Sequence, residues 1–276
     1  MARNGKKTGR KATSQSSENR YVAIIEKIFF SHWKSGAKEF EFDRTEIKIW
    51  ADRLGIEVPD NIGDVIYSFR FRTRLPTAIR ETETSGMQWH IQLAGRARYR
   101  FKLARENRIL PRAELLTIKV PDATPELIGS YALDDEQALL AIVRYNRLVD
   151  IFLGLTTYSL QNHLRTTVKG MGQIEIDELY VGIDTDGCHY VIPVQAKAGN
   201  DQISVVQAHQ DIMACAEKFS GIKCRAISVQ FMEDDIIAIF ELTLKDDEVR
   251  VVQERHYKLV PADQLEQDAI RAYRTT

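Results

Sequence analysis

The chain has 276 residues, of which 44% are hydrophobic and 28% charged, enough for two ordinary domains with cores of their own. No apolar run approaches the length that spans a bilayer, and MARNGKKTGRKATSQSSENR at the N-terminus has no apolar stretch of the secretory kind, so neither a membrane nor an exported protein is expected. The net charge of −1 conceals an asymmetry: residues 1–112 hold 23 Lys and Arg against 13 Asp and Glu, and the rest 15 against 26, as when one half of a chain meets a polyanion.

Residues 1–20 read as a basic, flexible tail. YVAIIEKIFFSHW (21–33) has the apolar spacing of a buried helix, and EFEF (39–42) alternates like a short strand. DRTEIKIWADRLGI (43–56) predicts a helix that opens on Asp43 as N-cap, turns Ile47, Trp50 and Leu54 inward and stops at Gly55. A turn at Pro59-Asp60-Asn61 precedes a third helix expected over 62–72, then two strands, MQWHIQLAG (87–95) and GRARYRFKL (95–103). Helix, strand, helix, turn, helix and hairpin is the order of a winged helix-turn-helix domain, here over residues 21–110. In the last strand Arg96, Arg98, Arg100 and Lys102 alternate with Ala97, Tyr99, Phe101 and Leu103, so the period of two gathers four cations on one face. Arg70 and Arg74, four apart and on one face provided the third helix persists to that point, and Arg72 between them complete a set suited to double-stranded DNA.

Residues 111–132, with Pro111, Pro121 and Pro125, are expected to be a linker, and LDDEQALLAIVRYNRLVDIFLGL (133–155) a single buried helix that opens a second domain over 133–276. SLQNHLRTTVKG (159–170) reads as a short polar helix or loop, with His163 and Arg165 placed to touch a phosphate. The segment GQIEIDELYVGIDTDGCHYVIPVQAKAGN (172–200) predicts a hairpin whose three-residue loop, Thr185-Asp186-Gly187, puts Gly187 at the left-handed position. That register sets Asp177 opposite Gln195 and Glu175 opposite Lys197, with all four on one face and Glu178 on the other. Asp177 then suits a hard divalent cation, with the Gln195 side chain or the Ala196 carbonyl as further oxygen ligands, and Lys197 suits the handling of an attacking water. The plainer alternative is a cross-strand ion pair between Glu175 and Lys197. A helix over 201–219 with a stripe of Val205, Ala208, Ile212, Cys215 and Phe219 follows, then strands at 224–232, 235–244 and 249–260, a mixed α/β order. Cys188, Cys215 and Cys224 lack metal-ligand spacing and suit reduced thiols of a cytoplasmic protein.

A strand ending in an acid, a turn, and a second strand reading V-Q-A-K resembles the PD-(D/E)xK nuclease superfamily. The resemblance covers roughly residues 133–244, with Asp177 as the first acid and Gln195-Ala196-Lys197 as the (D/E)xK element. It implies an αβββαβ core and Mg2+-dependent hydrolysis of phosphodiester bonds in double-stranded DNA, as in restriction-type endonucleases. A homodimer is the economical way to cut two strands. Gln195 departs from the pattern, since an amide replaces the usual carboxylate and removes a charge from the metal site; Glu175, and after it Glu178, are the compensating candidates. Glu136 or Asp150 would match the glutamate that some members supply from the first helix. A non-catalytic DNA-binding regulator, or a transposition or recombination nuclease that needs a partner, are the competing expectations.

Overall fold

A computed structural model of the chain describes residues 12–59, 61–105, 108–131, 136–198 and 201–265, together with Asp268, Arg271 and Tyr273. The expected tail lies outside the described residues up to position 11, and from Ala12 onward the backbone is already helical. The chain divides into two compact units, residues 1–107 with 170–172, and residues 108–169 with 173–276.

The first unit contains α1 (Ala12–His32), β1 (Glu39–Asp43), α2 (Thr45–Leu54), α3 (Gly63–Tyr67), the short α4 (Thr77–Arg80), β2 (Met87–Leu93) and β3 (Arg98–Arg105). Its three strands form an antiparallel sheet in the order β1-β3-β2. α2 begins with a reciprocal cap: Asp43 Oδ1 accepts from the Thr45 N–H at 2.9 Å, and Glu46 Oε1 accepts from the Asp43 N–H at 2.9 Å. The helix stops at Gly55, whose φ of +66° is the left-handed conformation that glycine adopts without a Cβ clash. The core gathers on Phe29, fully buried, whose ring meets Phe40, Trp89 and Phe101 edge-on at 5.1–5.2 Å. The third helix is shorter than expected. α3 passes into a single π-helical stretch at Ser68–Arg72, and Thr73 is extended at φ −114°, ψ 135°.

The second unit contains β4 (Arg108–Ile109), β5 (Thr117–Pro121), α5 (Glu126–Gly129), α6 (Glu136–Tyr145), α7 (Leu148–Leu153), β6 (Thr156–Val168), β7 (Gly172–Ile183), β8 (His189–Lys197), β9 (Ile203–Ser204), α8 (Val205–Lys218), β10 (Lys223–Cys224), β11 (Ala226–Phe231), β12 (Ile236–Lys245) and β13 (Glu248–Val260). Eight strands make a mixed sheet in the order β5-β13-β12-β11-β8-β7-β6, with β10 beside β8. β11 runs parallel to β8, and α8 connects them. One face of the sheet packs Tyr180, Ile192, Val194 and Ala196 against α6 and α7 through Leu139, Leu140, Val143, Val149 and Phe152. Ala208 of α8 belongs to a separate cluster with Ala226, Ala238, Phe240 and Leu242.

Three expectations are corrected here. The supposed linker carries β5, which pairs in parallel with β13 and so belongs to the main sheet. The expected single helix over 133–155 is two, and residues 133–135 lie outside the described set. The break falls at Arg147, which is left-handed at φ +49°, while the Asn146 amide is held by the Ile142 carbonyl, the Thr124 hydroxyl and the Ala123 N–H. Finally, the segment around His163 is neither helix nor loop but β6, an edge strand of the sheet, exposed along most of its length.

Candidate active site

The hairpin of β7 and β8 has the register expected of its turn. Ile183 pairs with His189 and Glu178 with Val194, the Asp184 N–H donates to the Cys188 carbonyl at 3.1 Å, and Gly187 sits at φ +79°. The regular ladder ends at Glu178 and Val194. Beyond that point the two strands part, and a side chain fills the gap: Asp177 Oδ2 accepts from the Ala196 N–H at 2.9 Å. On its other side β8 continues its ladder with β11, where Gln195, Ala196 and Lys197 pair with Ser228, Val229 and Gln230.

The four residues expected on one face do not all converge. Asp177 is mostly buried, and burial lifts its pKa above the usual carboxylate value; Glu175 and Glu136 add to the lift, while the Ala196 N–H and the Lys197 charge oppose it. Glu175 turns away. Its two carboxylate oxygens meet His163 Nδ1 at 3.2 Å and Arg165 Nε at 3.1 Å, so the Glu175–Lys197 pair is absent among the described ion pairs. Gln195 is buried with its amide fully used: Nε2 donates to the Glu175 carbonyl at 3.1 Å, and Oε1 accepts from Gln207 Nε2 at 2.6 Å.

The same amide reaches Asp211 on α8, a residue the local pattern did not single out. Asp211 is 2% exposed, and burial pushes its pKa well above the usual range, with the nearby Gln195 amide and the Lys197 charge opposing the rise and the Asp177 charge adding to it. Its Oδ1 is buried and has no hydrogen-bond partner among the described residues. One signal for it was present in the sequence. Asp211 falls three residues after Ala208 and four before Cys215, on the apolar stripe of an amphipathic helix, where a carboxylate needs a partner. α8 is positioned by its own cap, the Ser204 hydroxyl accepting from the Gln207 N–H at 3.4 Å.

The opposite face of β7 carries Glu178, as the register implied. It is completely buried, and its Oε1 accepts from Arg144 Nε at 2.8 Å and from the Ser159 hydroxyl at 2.5 Å, which makes it part of the framework. Asp150 is likewise bound locally, to Arg147 at 2.7 Å and to the Thr157 N–H at 2.6 Å. Glu136 opens α6, close enough for its charge to be felt at Asp177.

The proposed DNA contacts of the first unit divide. Arg70 is not on an exposed helix face: its Nε donates to the Ile91 carbonyl at 3.2 Å, and burial pulls its pKa down to about 10. The i, i+4 relation to Arg74 does not exist, because the helix ends before Thr73; Arg74 itself is exposed, and the Arg72 side chain lies outside the described set. Arg96 is exposed in the turn before β3. The row of cations on β3 faces a row of acids on β1, with Lys102 opposite Glu39, Arg100 opposite Glu41 and Arg98 opposite Asp43. Arg100 meets Glu41 at 2.6 Å and Glu39 at 3.8 Å, and Arg98 meets Glu41 at 3.6 Å. β3 is the central strand, so the alternation of EFEFD matches its own. Such half-exposed pairs contribute only about 0–1 kcal/mol each, weak enough for a phosphate to displace them.

Asp177, Asp211, the Gln195 amide and Lys197 therefore form one cluster between the parted strands and α8. The charge of the half-buried Asp177 raises the pKa of the buried Asp211, whose Oδ1 has no partner among the described residues, the kind of environment that a hard cation relieves. No group of three or more His, Cys, Asp or Glu suited to a metal occurs among the described residues. Mg2+ does not require one, since it is held by one or two carboxylates with waters and substrate phosphates completing its shell. The chain matches no protein-family model, no curated protein and no solved structure.

Proposed function

We propose that the chain is a Mg2+-dependent endonuclease of the PD-(D/E)xK type, acting on double-stranded DNA as a restriction-type enzyme. The observation that carries this reading is the end of the β7–β8 ladder at Glu178–Val194, beyond which Asp177 bridges to the Ala196 N–H and its charge and that of Lys197 are felt at the buried Asp211. The element order supports it: helices α6 and α7, the run β6-β7-β8, then α8 and a parallel β11 follow the αβββαβ scheme. In this reading Asp211 supplies the carboxylate that position 195 lacks, and Gln195 positions it. Asp177 and Asp211 would hold the cation, with the Ala196 carbonyl as a further oxygen. A bound Mg2+ supplies Lewis-acid stabilisation of charge on the phosphoryl oxygens. Lys197 orients the water whose oxygen bonds to phosphorus as the ester P–O bond breaks.

The first unit is read as a winged helix-turn-helix domain, supported by β1 lying between its first two helices and the β2–β3 hairpin after the last; in this reading Arg74, Arg96, Arg98, Arg100 and Lys102 meet the duplex. Cutting both strands calls for two active sites, hence a homodimer, and the reduced thiols suit a cytoplasmic setting.

A second reading, a DNA-binding regulator without catalysis, is favoured by one feature, the Gln195 amide oxygen committed to Gln207. Incubation of the protein with unmodified and methylated plasmids in Mg2+ separates the two. The nuclease reading predicts discrete fragments that disappear in EDTA. Retardation of every plasmid with no cleavage, in Mg2+ or Mn2+, would establish the regulator.

A further inference from the structure

Glu175 was expected in the metal site, yet both of its oxygens are engaged elsewhere. His163 and Arg165 hold them from β6 at 3.2 and 3.1 Å, and the three side chains are 52%, 67% and 41% exposed. His163 takes a left-handed φ of +48° near the middle of a 13-residue strand. A non-glycine residue seldom adopts that conformation without a local reason. An imidazole and a guanidinium closing on two oxygens of one anionic group is also the arrangement that receives a phosphate.

We propose that His163 and Arg165 form a clamp for a phosphodiester of the DNA backbone, and that Glu175 occupies this clamp in the free protein as an internal competitor. The proposal rests on the nuclease reading for its substrate. The exposed pairs are weak in water, so a polyanion can displace the carboxylate. Glu175 lies two residues before Asp177 on the same face of β7, which puts the clamp about 6.6–6.8 Å along the strand from the buried carboxylate, within reach of the same DNA strand. Glu175 also touches the hydrolytic cluster directly, because its carbonyl accepts from Gln195 Nε2 and its charge helps to raise the pKa of Asp177. Departure of its carboxylate toward solvent therefore accompanies arrival of the phosphate. Glu175 thus guards the site and is not one of its metal ligands.

The test is duplex-DNA affinity by fluorescence anisotropy in EDTA, where cleavage plays no part. Glu175→Gln should bind about 5–10-fold tighter than wild type, and Arg165→Ala several-fold weaker, with a log–log salt slope shallower by about 0.9. Combining Glu175→Gln with Arg165→Ala should abolish the gain, which separates a clamp from general relief of negative charge. Equal or weaker binding by Glu175→Gln overturns the clamp, as does a gain that persists in the double variant. If wild type cleaves in Mg2+ while Glu175→Gln binds no tighter, the clamp falls and the nuclease reading stands. If Glu175→Gln binds tighter but no metal supports cleavage by wild type, the clamp stands and the hydrolytic reading falls.

Discussion

Asp177→Asn should lower the rate of Mg2+-dependent DNA cleavage by at least about 10³-fold, equivalent to roughly 4 kcal/mol of transition-state stabilisation. The substitution keeps the shape of the side chain and an oxygen that can still accept from the Ala196 N–H, so the parted hairpin should fold unchanged. What it removes is a negative charge where the β7–β8 ladder has ended and Asp177 bridges to the Ala196 N–H. DNA affinity in EDTA should stay at the wild-type level, which assigns the loss to chemistry. The pH dependence carries a sign. Burial raises the pKa of Asp177 and, further, of Asp211, so in the metal-free folded state both hold protons above the pH at which the unfolded chain releases them. Native protein then binds more protons than unfolded protein, and stability falls as pH rises from about 4 toward those raised values. Mg2+ requires the deprotonated carboxylates, so cleavage should rise with pH over the same interval. A single-turnover rate for Asp177→Asn within tenfold of wild type would remove Asp177 from the chemistry.

The second large effect lies on the other face of the sheet. Arg144→Ala should destabilise the second unit by about 3 kcal/mol, on the order of 6–12 °C in its melting temperature. Glu178 has no exposed surface, and Arg144 is the only cation bonded to it among the described ion pairs. The desolvation cost of the carboxylate is already met by folding, and removal of the guanidinium leaves that charge with the Ser159 hydroxyl and the neighbouring Tyr180 and no cation among the described ion pairs. Arg144 is itself 37% exposed, so the estimate sits at the low end for buried pairs. Glu178→Gln should recover much of the loss when combined with Arg144→Ala, because it removes the orphaned charge. Denaturant melts of the two single variants and the double variant check this. A change below about 0.5 kcal/mol for Arg144→Ala would mean that water reaches Glu178.

The parts of this architecture that were legible in the sequence are those governed by local chemistry. The three-residue loop Thr185-Asp186-Gly187, with glycine at the left-handed position, is preferred because its register gathers Asp177, Gln195, Glu175 and Lys197 on one face, and from it the separation of Asp177 from Glu178 follows. The cap at Asp43 and the stop at Gly55 bounded α2 in the same way. What stayed hidden depends on distant neighbours. β6 shows no apolar alternation because most of it faces solvent, so its periodicity carried no strand signal. The cations of β3 looked unpaired until Glu39, Glu41 and Asp43 were brought across from 59 residues away in the closest pair. β5 shares no pattern with a sheet until β13 provides its partner. Asp211 is the clearest case. Its position on an apolar stripe was visible, but its surroundings include Gln195, sixteen positions earlier and on another element.

The central claim is that Asp177 and Asp211 together hold the cation on which hydrolysis depends, and calorimetric titration of Mg2+ or Mn2+ into wild type, Asp177→Asn and Asp211→Asn addresses it most directly. Wild type should show a saturable site that is lost or greatly weakened in both variants, while the circular-dichroism spectra of all three coincide. Wild-type protein that takes up no cation even in the presence of DNA, or Asp211→Asn protein that binds it as well as wild type, would contradict it.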